Sequence, residues 1–443
     1  MELGVRIRLS VMMFLTYVIW GAWLPLLPVY LGHPDIGFTG EQIGLVFATM
    51  AIASVTAMLI SGQIADRWFS TERFLCVSSL LGAAALYVVS LQTSFWPFFM
   101  AFLVYAIIYV PILSLTNAIS FAHIPDAQRD FGGIRVWGTL GWVAASWPFL
   151  LILGDKATVG DLRWMFYVSA AVSVVLGVFS LTLPHTPPKR EARERFAPLR
   201  ALSLLGKPAF LVLFLVALSD SMVQFCYFIW TGLFLEALEV PAKYISACMS
   251  IGQIAEILTM FALGYFLKTF GWRKVMAMGV FAHTLRFGIY TLSAGKPELA
   301  WLVVASNVVH GAAYAFFFAA VYIYADEHAP KDIRASAQIL FNLVILGAGQ
   351  LLGSLLFGKL GDYYTTTTTQ TVGEVVTQVK VLDYRSLFLI PTLWSLVTGT
   401  FLLIAFWPGE KPPAEENGDV PDSGLGEGEA EVEQRLRDLG YVE

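Results

Sequence analysis

Twelve apolar stretches of about twenty residues each punctuate the chain, and that spacing leaves few folds open. A helix rises about 1.5 Å per residue and the hydrocarbon core of a bilayer is about 30 Å thick, so each run has the length of one crossing. The runs fall at roughly 9–31, 42–62, 74–92, 97–122, 134–153, 163–183, 208–234, 244–267, 275–294, 298–324, 335–358 and 386–407. Lipid offers the backbone no hydrogen-bond partners, so isolated spans of this kind are α-helices. The pattern predicts an all-α membrane protein with two six-helix halves, 1–184 and 208–408, joined by a polar loop at 185–207.

Composition agrees with that frame. Only 14% of the residues are charged, against about a quarter in a soluble domain, and 57% are hydrophobic. Arg6 and Arg8 ahead of the first run resemble the start of a secretory signal, but the run is long and lacks a small-residue cleavage site, so a retained first helix is expected. The net charge of −5 owes much to the stretch beyond Pro408, and nothing in the charge pattern points to nucleic acid. Cys76, Cys226 and Cys248 lie inside apolar runs with no metal-ligand spacing, and read as packing residues.

Basic residues near helix ends stay on the cytoplasmic side. One alternating set of connections carries Arg6, Arg8, Arg67, Arg73, Arg129, Arg135, a cluster from Lys189 to Arg200, then Lys207, Lys268, Arg273, Lys274, Lys331 and Arg334. The other carries Lys156, Arg163, Lys243, Lys296, Lys380 and Arg385. Both termini and the central loop are therefore expected in the cytoplasm. The central loop reads as a flexible tether, although Leu199, Leu202 and Leu205 would let part of it lie on the membrane surface. The stretch from Asp362 to Arg385, with its threonine run at 365–369, reads as an external loop. The tail at 409–443, rich in Glu, Gly and Pro, holds too little apolar surface to fold and is expected to be a disordered acidic cytoplasmic segment.

A repeated loop sharpens the class. Gly62-Gln-Ile-Ala-Asp66-Arg67, with Arg73 behind it, follows the second run, and Gly264-Tyr-Phe-Leu-Lys268-Thr-Phe-Gly271-Trp-Arg273-Lys274 follows the eighth. Glycine lets two helix ends approach closely, and a charged turn complements a neighbouring helix end. The first copy resembles the loop signature of the major facilitator superfamily, which implies a gating role for Gly62, Asp66 and Arg67. The second copy departs from it with Lys268 where the acid is expected.

An ionisable side chain inside a span is costly and normally faces a cavity or a partner. Asp220, Glu256, Arg286 and His310 stand near mid-span. A buried pair that merely orients helices is the alternative for Arg286 with one acid. Gln253 lies one turn before Glu256, so the two share a helix face, and a carboxylate beside an amide suits hydroxyl recognition. His310 with Tyr314, and Gln224 with Tyr227, share faces on the tenth and seventh runs. Arg135 begins the fifth run, where an arginine ordinarily snorkels, but Thr139 and Trp142 continue its stripe. Trp20 and Trp23 add aromatic area in the first helix. Such walls suit flat, polar-edged ligands such as nucleobases, and suit sugars as well.

Several segments together resemble the nucleoside:proton symporters of that superfamily. They include Trp20-Gly21-Ala22-Trp23-Leu24, Tyr109-Val-Pro111 through Asn117-Ala-Ile-Ser120, Ile134-Arg135-Val136-Trp137-Gly138-Thr139, Thr182-Leu183-Pro184-His185, Ser250-Ile-Gly-Gln253-Ile-Ala-Glu256, Leu285-Arg286-Phe287 and Ile333-Arg334-Ala335-Ser336-Ala337-Gln338. The resemblance implies nucleoside import coupled to proton entry, with the proton as coupling ion, no other cofactor, no metal, and a monomer in the bilayer. It carries a substrate role to Arg135, Thr139, Trp142, Gln224, Gln253 and Glu256, and to Tyr227, His310 and Tyr314, which replace the family's usual residues. An acid that the family carries in the tenth helix is replaced by Ala315. Glu256 is the expected proton carrier and Asp220 its rival. A sugar or oligosaccharide:proton symporter is the nearest alternative, and a transporter-like nutrient sensor a remoter one. No nucleophile with an adjacent base, and no phosphate loop, supports an enzyme.

Overall fold

The computed structural model describes residues 2–68, 70–125, 127–187, 202–330, 333–372 and 375–409, with the backbone alone at 57–68, 127–129, 335, 370–372 and 375–379. Most of the central loop and the tail beyond residue 409 therefore lie outside the described residues, as do the side chains of Asp66 and Arg67, while Gly62 is described by its backbone.

Twelve spans emerge, in the order the hydropathy predicts. Among the described residues nine helices are long and apolar enough to cross a membrane. One of them, Ala242–Ser293, is 52 residues long and carries the eighth and ninth spans. They are separated at Gly271, whose φ of 75° and ψ of 166° suit a residue without a Cβ. The second span (Gly40–Trp68) and the fifth, in two pieces at Ala127–Ala144 and Trp147–Ile152, complete the set.

Helix ends depart from the apolar limits where polar residues keep helical geometry past the hydrocarbon. The fifth span starts at Ala127 rather than near 134, taking in Asp130 ahead of Arg135. The first runs through Leu3–Trp23, is interrupted, and resumes at Leu27–Gly32. The tenth (Pro297–His328) and eleventh (Arg334–Tyr363) each contain a π-helical turn, at Tyr314–Ala319 and Leu343–Gly349. Such turns displace side chains from the regular helical stripe and recur at functional sites.

One element corrects the expectation of a loop between Asp362 and Arg385. The threonine-rich segment is an antiparallel hairpin, Thr365–Val372 against Val375–Leu382, in register from Thr365 opposite Leu382 to Val372 opposite Val375. The cause is local: runs of β-branched Thr and Val prefer extended backbone. The Asp383 amide donates to the Tyr364 carbonyl at the open end, 3.0 Å away, which joins the hairpin to the helices on either side.

The two halves close on each other at one end of the bundle, that of the connections between spans 1 and 2, 5 and 6, 7 and 8, and 11 and 12. Spans 2 and 11 cross so tightly there that a Cβ on Gly40 would stand 2.5 Å from the Gly358 carbonyl oxygen, and one on Gly44 would meet the Ser354 carbonyl. Small residues permit this approach of backbones in lipid. Asp362, at the end of span 11, accepts from the amides of Gly40 (2.6 Å) and Glu41 (2.8 Å), the exposed first turn of span 2. On the other flank Lys243 pairs with Asp155 at 2.7 Å, the Ala242 amide donates to the Asp155 carbonyl at 3.2 Å, and Ser146 donates to the Ser246 carbonyl at 3.2 Å.

Candidate functional site

Side chains on the seventh, ninth and tenth spans meet in a sealed polar cluster. Arg286 is fully buried, and its guanidinium reaches three partners. It donates to His310 Nδ1 at 2.7 Å, to His283 Nδ1 at 2.7 Å and to Gln224 Oε1 at 3.3 Å. Its planar face lies 4.2 Å from the centre of the Tyr227 ring. A guanidinium so placed combines hydrogen bonding with stacking on an aromatic face, which lysine does less well. Helical spacing explains the local part: His283 lies three residues before Arg286, on the same face.

The alternative of Arg286 paired directly with one acid is not what forms, because an imidazole intervenes. Asp220 is buried, and its Oδ2 lies 3.5 Å from His283 Nε2. That is ion-pair reach without hydrogen-bond geometry, so both Asp220 oxygens and His283 Nε2 have no hydrogen-bond partner. His283 is the polar residue that sequence reasoning passed over. Its signal was the spacing His283-x-x-Arg286 in an otherwise apolar run.

His310 stands at the cluster's edge. Its ring packs 4.8 Å from the Tyr227 ring at 30°, and its Nε2 lies 3.3 Å from the Gln253 amide nitrogen. Both ring nitrogens are therefore engaged. Gln224 and Tyr227 are buried with it, and the Tyr227 hydroxyl is sealed without a hydrogen-bond partner. Gln253 and Glu256 are half-buried, one turn apart on the eighth span, as their spacing predicts.

The first and fifth spans supply the facing wall. The Arg135 guanidinium lies 4.3 Å from the Tyr17 ring centre, and Tyr17 lies 6.1 Å from Trp20, whose buried indole nitrogen has no partner. Thr139 and Trp142 are buried farther along the fifth span. The backbone of Trp142 presses on span 1, where a Cβ on Gly21 would stand 2.7 Å from its carbonyl oxygen. Trp23 departs from expectation: it is buried in the N-terminal half and donates to the Tyr105 hydroxyl at 3.1 Å, so of the two tryptophans Trp20 alone keeps a free polar edge.

The halves meet electrostatically between these walls. Arg135, in the first half, lies within electrostatic range of Glu256 and Tyr314, in the second. A half-buried carboxylate and guanidinium on opposite sides of a seam strengthen or weaken their attraction as the seam opens, because the effective dielectric changes with hydration. The arrangement can therefore bind a polar solute and a proton in a way that depends on conformation. Among the described residues no group of three or more metal-ligating side chains occurs.

Known proteins share both the sequence and the shape. The protein YegT of Escherichia coli strain K12 is 36% identical over 359 residues, covering 80% of this chain and 84% of that protein. The xanthosine permease of the same strain is 30% identical over 425 residues, covering 92% and 96%. The crystal structure of the nucleoside transporter NupG superposes with a TM-score of 0.77 at 27% identity, covering 91% of this chain and 99% of that one. A D-xylose-proton symporter structure, at 12% identity and a TM-score of 0.68, shares the fold alone. The family model described as the nucleoside H+ symporter matches residues 3–411, and the chain belongs to that family, within the major facilitator fold.

Proposed function

We propose that this proton-coupled nucleoside transporter works by alternating access about the seam between its halves, with Glu256 serving both proton and substrate. What supports the proposal is the placing of Glu256 and Arg135 on opposite sides of that seam, within electrostatic range of each other. When Glu256 takes a proton, its attraction to Arg135 vanishes and the carboxyl is free to engage a ribose hydroxyl beside Gln253. When the seam hydrates on the cytoplasmic side, Arg135 favours the carboxylate and so favours proton release. One acid in both roles couples the two fluxes.

Arg135, Thr139 and Trp142 from the first half, with Gln224, Tyr227, Gln253, Tyr314 and the His310 ring from the second, line the nucleoside site in this reading. Asp220, sealed behind His283, is the second candidate for proton traffic. The distribution of Lys and Arg orients both termini to the cytoplasm of a bacterial inner membrane. The closed end then faces outward, and the conformation described is inward-facing. The six-helix halves, 1–184 and 208–408, rock as units, a single copy sufficing in the bilayer, and the loop carrying Gly62, Asp66 and Arg67 serves as a cytoplasmic gate.

The test is uptake of labelled uridine into proteoliposomes under an imposed proton gradient. Glu256→Gln is expected to abolish accumulation above the outside concentration while leaving exchange of nucleoside across the membrane. Uphill uptake by the Gln variant at the wild-type level would sink the assignment.

A further inference from the structure

The hydrogen bonds around Arg286 have a direction, and the direction has consequences for substrate choice. A guanidinium carries donors and no acceptor. Each atom it bonds is therefore an acceptor: Gln224 Oε1, His283 Nδ1 and His310 Nδ1. With Nδ1 accepting, a neutral imidazole carries its proton on Nε2. On His283 that proton faces Asp220, which holds the cation in place at one remove. On His310 it faces Gln253.

Two glutamines are fixed as a result. The Gln224 carbonyl oxygen is taken by Arg286, so its NH2 is the end left to meet a ligand, and that nitrogen bonds nothing among the described residues. The Gln253 amide nitrogen lies 3.3 Å from His310 Nε2, a donor facing a donor. A glutamine's two ends are alike in shape, and a half-turn about its last bond relieves the conflict by presenting Oε1 to His310. The Gln253 NH2 then also faces away from the cluster. An unconstrained glutamine donates or accepts as required, but these two are held as donors.

We propose that Arg286, acting through Gln224 directly and through His310 on Gln253, makes the nucleoside site a donor-lined one that selects bases carrying oxo groups over bases carrying amino groups. Arg286 and His310 are positioning residues here, and the two glutamines are the contacts. The inference rests on the nucleoside reading. It adds an axis of choice within that class, because a base that turns an amino group to a fixed donor leaves both groups unpaired in a dry site.

The probes are two pairs, uridine with cytidine and inosine with adenosine, competed against labelled uridine on the purified full-length protein. Wild type is expected to prefer the oxo member of each pair by at least about tenfold, the scale of one unsatisfied buried polar group. His310→Phe keeps the ring and frees Gln253 to rotate, so the preference should fall to within about threefold. Gln224→Glu replaces the fixed donor with an acceptor beside Arg286 and should bring the ratio to unity or invert it. Equal binding of all four nucleosides by wild type would overturn the proposal without need of any variant. So would a ratio unchanged in a folded His310→Phe protein. Failure of wild type to bind any of the four would overturn the nucleoside reading, and this inference with it.

Discussion

Asp362 offers a direct handle on the conformational equilibrium, because it caps a helix that belongs to the other half. Its two carboxylate oxygens accept from the Gly40 and Glu41 amides at 2.6 and 2.8 Å, where the first turn of span 2 leaves its N–H groups without intrahelical partners. Loss of a capping carboxylate costs about 0.5–2 kcal/mol, and its attraction to the helix dipole contributes about 0.3–1 kcal/mol. Once the halves part at this end those amides meet water whether or not Asp362 is present, so the loss falls on the closed state alone. The neighbouring exposed pair of Lys359 and Glu41, at 3.5 Å, adds little. Asp362→Ala is thus expected to move the ratio of closed to open molecules by about 5- to 30-fold, the effect of about 1–2 kcal/mol. Spin labels at Thr93→Cys and Glu298→Cys, exposed positions at the same end of opposite halves, report the separation in a background where Cys76, Cys226 and Cys248 are replaced. A second, longer distance should appear with Asp362→Ala, and Asp362→Asn, which keeps one acceptor, should give less of it. An unchanged distance distribution in the alanine variant would refute the view that this cap holds the seam shut.

Other consequences are as concrete. Gly44→Val forces a side chain against the Ser354 carbonyl and should open the same end, by about 1–3 kcal/mol of overpacking, seen as greater labelling of cysteines placed on the inner faces of spans 2 and 11. Asp220→Asn should lower proton-driven accumulation, measured as pH-gradient-dependent uridine uptake. Asp383 accepts from the Ser386 hydroxyl and from the Arg385 and Ser386 amides, and these bonds, the Ser386 hydroxyl's foremost, hold its carboxyl below the usual aspartate range. A depressed carboxyl stabilises the fold above its unfolded pKa of about 3.9, and the contribution is lost as pH falls through the lower folded value. Asp383→Ala should therefore fray the start of span 12 at neutral pH, measured by hydrogen exchange at 385–388, and the difference from wild type should shrink in acid.

Much of the fold was legible because hydropathy is a one-dimensional signal that crossing a bilayer requires. The twelve runs, the polar loop between halves and the alternation of basic connections all follow from that requirement. Boundaries were less so: hydropathy marks where the chain is apolar, and the fifth span continues as a helix through Asp130 and Arg135 into polar surroundings. The hairpin at 365–382 was hidden for a different reason. Its threonines are polar enough to read as a loop, although their branching at Cβ favours strand pairing.

The site was legible in its parts and not in its connections. Gln253 with Glu256, and Gln224 with Tyr227, declared themselves by shared helix faces. That Arg286 binds two imidazoles rather than an acid depends on three helices meeting, which no spacing along one of them encodes. Tyr17 was likewise unreadable as the platform beneath Arg135, since the two lie on different spans.

The substitution at Ala315 takes on a different meaning beside this geometry. Ala315 lies in the π-helical turn of span 10, fully buried and surrounded by the apolar cluster that includes Phe316, Phe317 and Val280. An acid there would need its own cation, and Arg286 is already engaged elsewhere. The acid nearest that guanidinium is Asp220 on the seventh span, with His283 between the two. The second half thus keeps a buried acid although position 315 carries none, and both oxygens of that acid are without a hydrogen-bond donor. Such an acid gains a donor when His283 turns its Nε2–H fully toward it. That rotation acts on Arg286 through His283 Nδ1, and through Arg286 on Gln224. Asp220 and Gln224 therefore meet at one guanidinium, and the double variant of Asp220→Asn with Gln224→Glu should depart from the sum of its single effects.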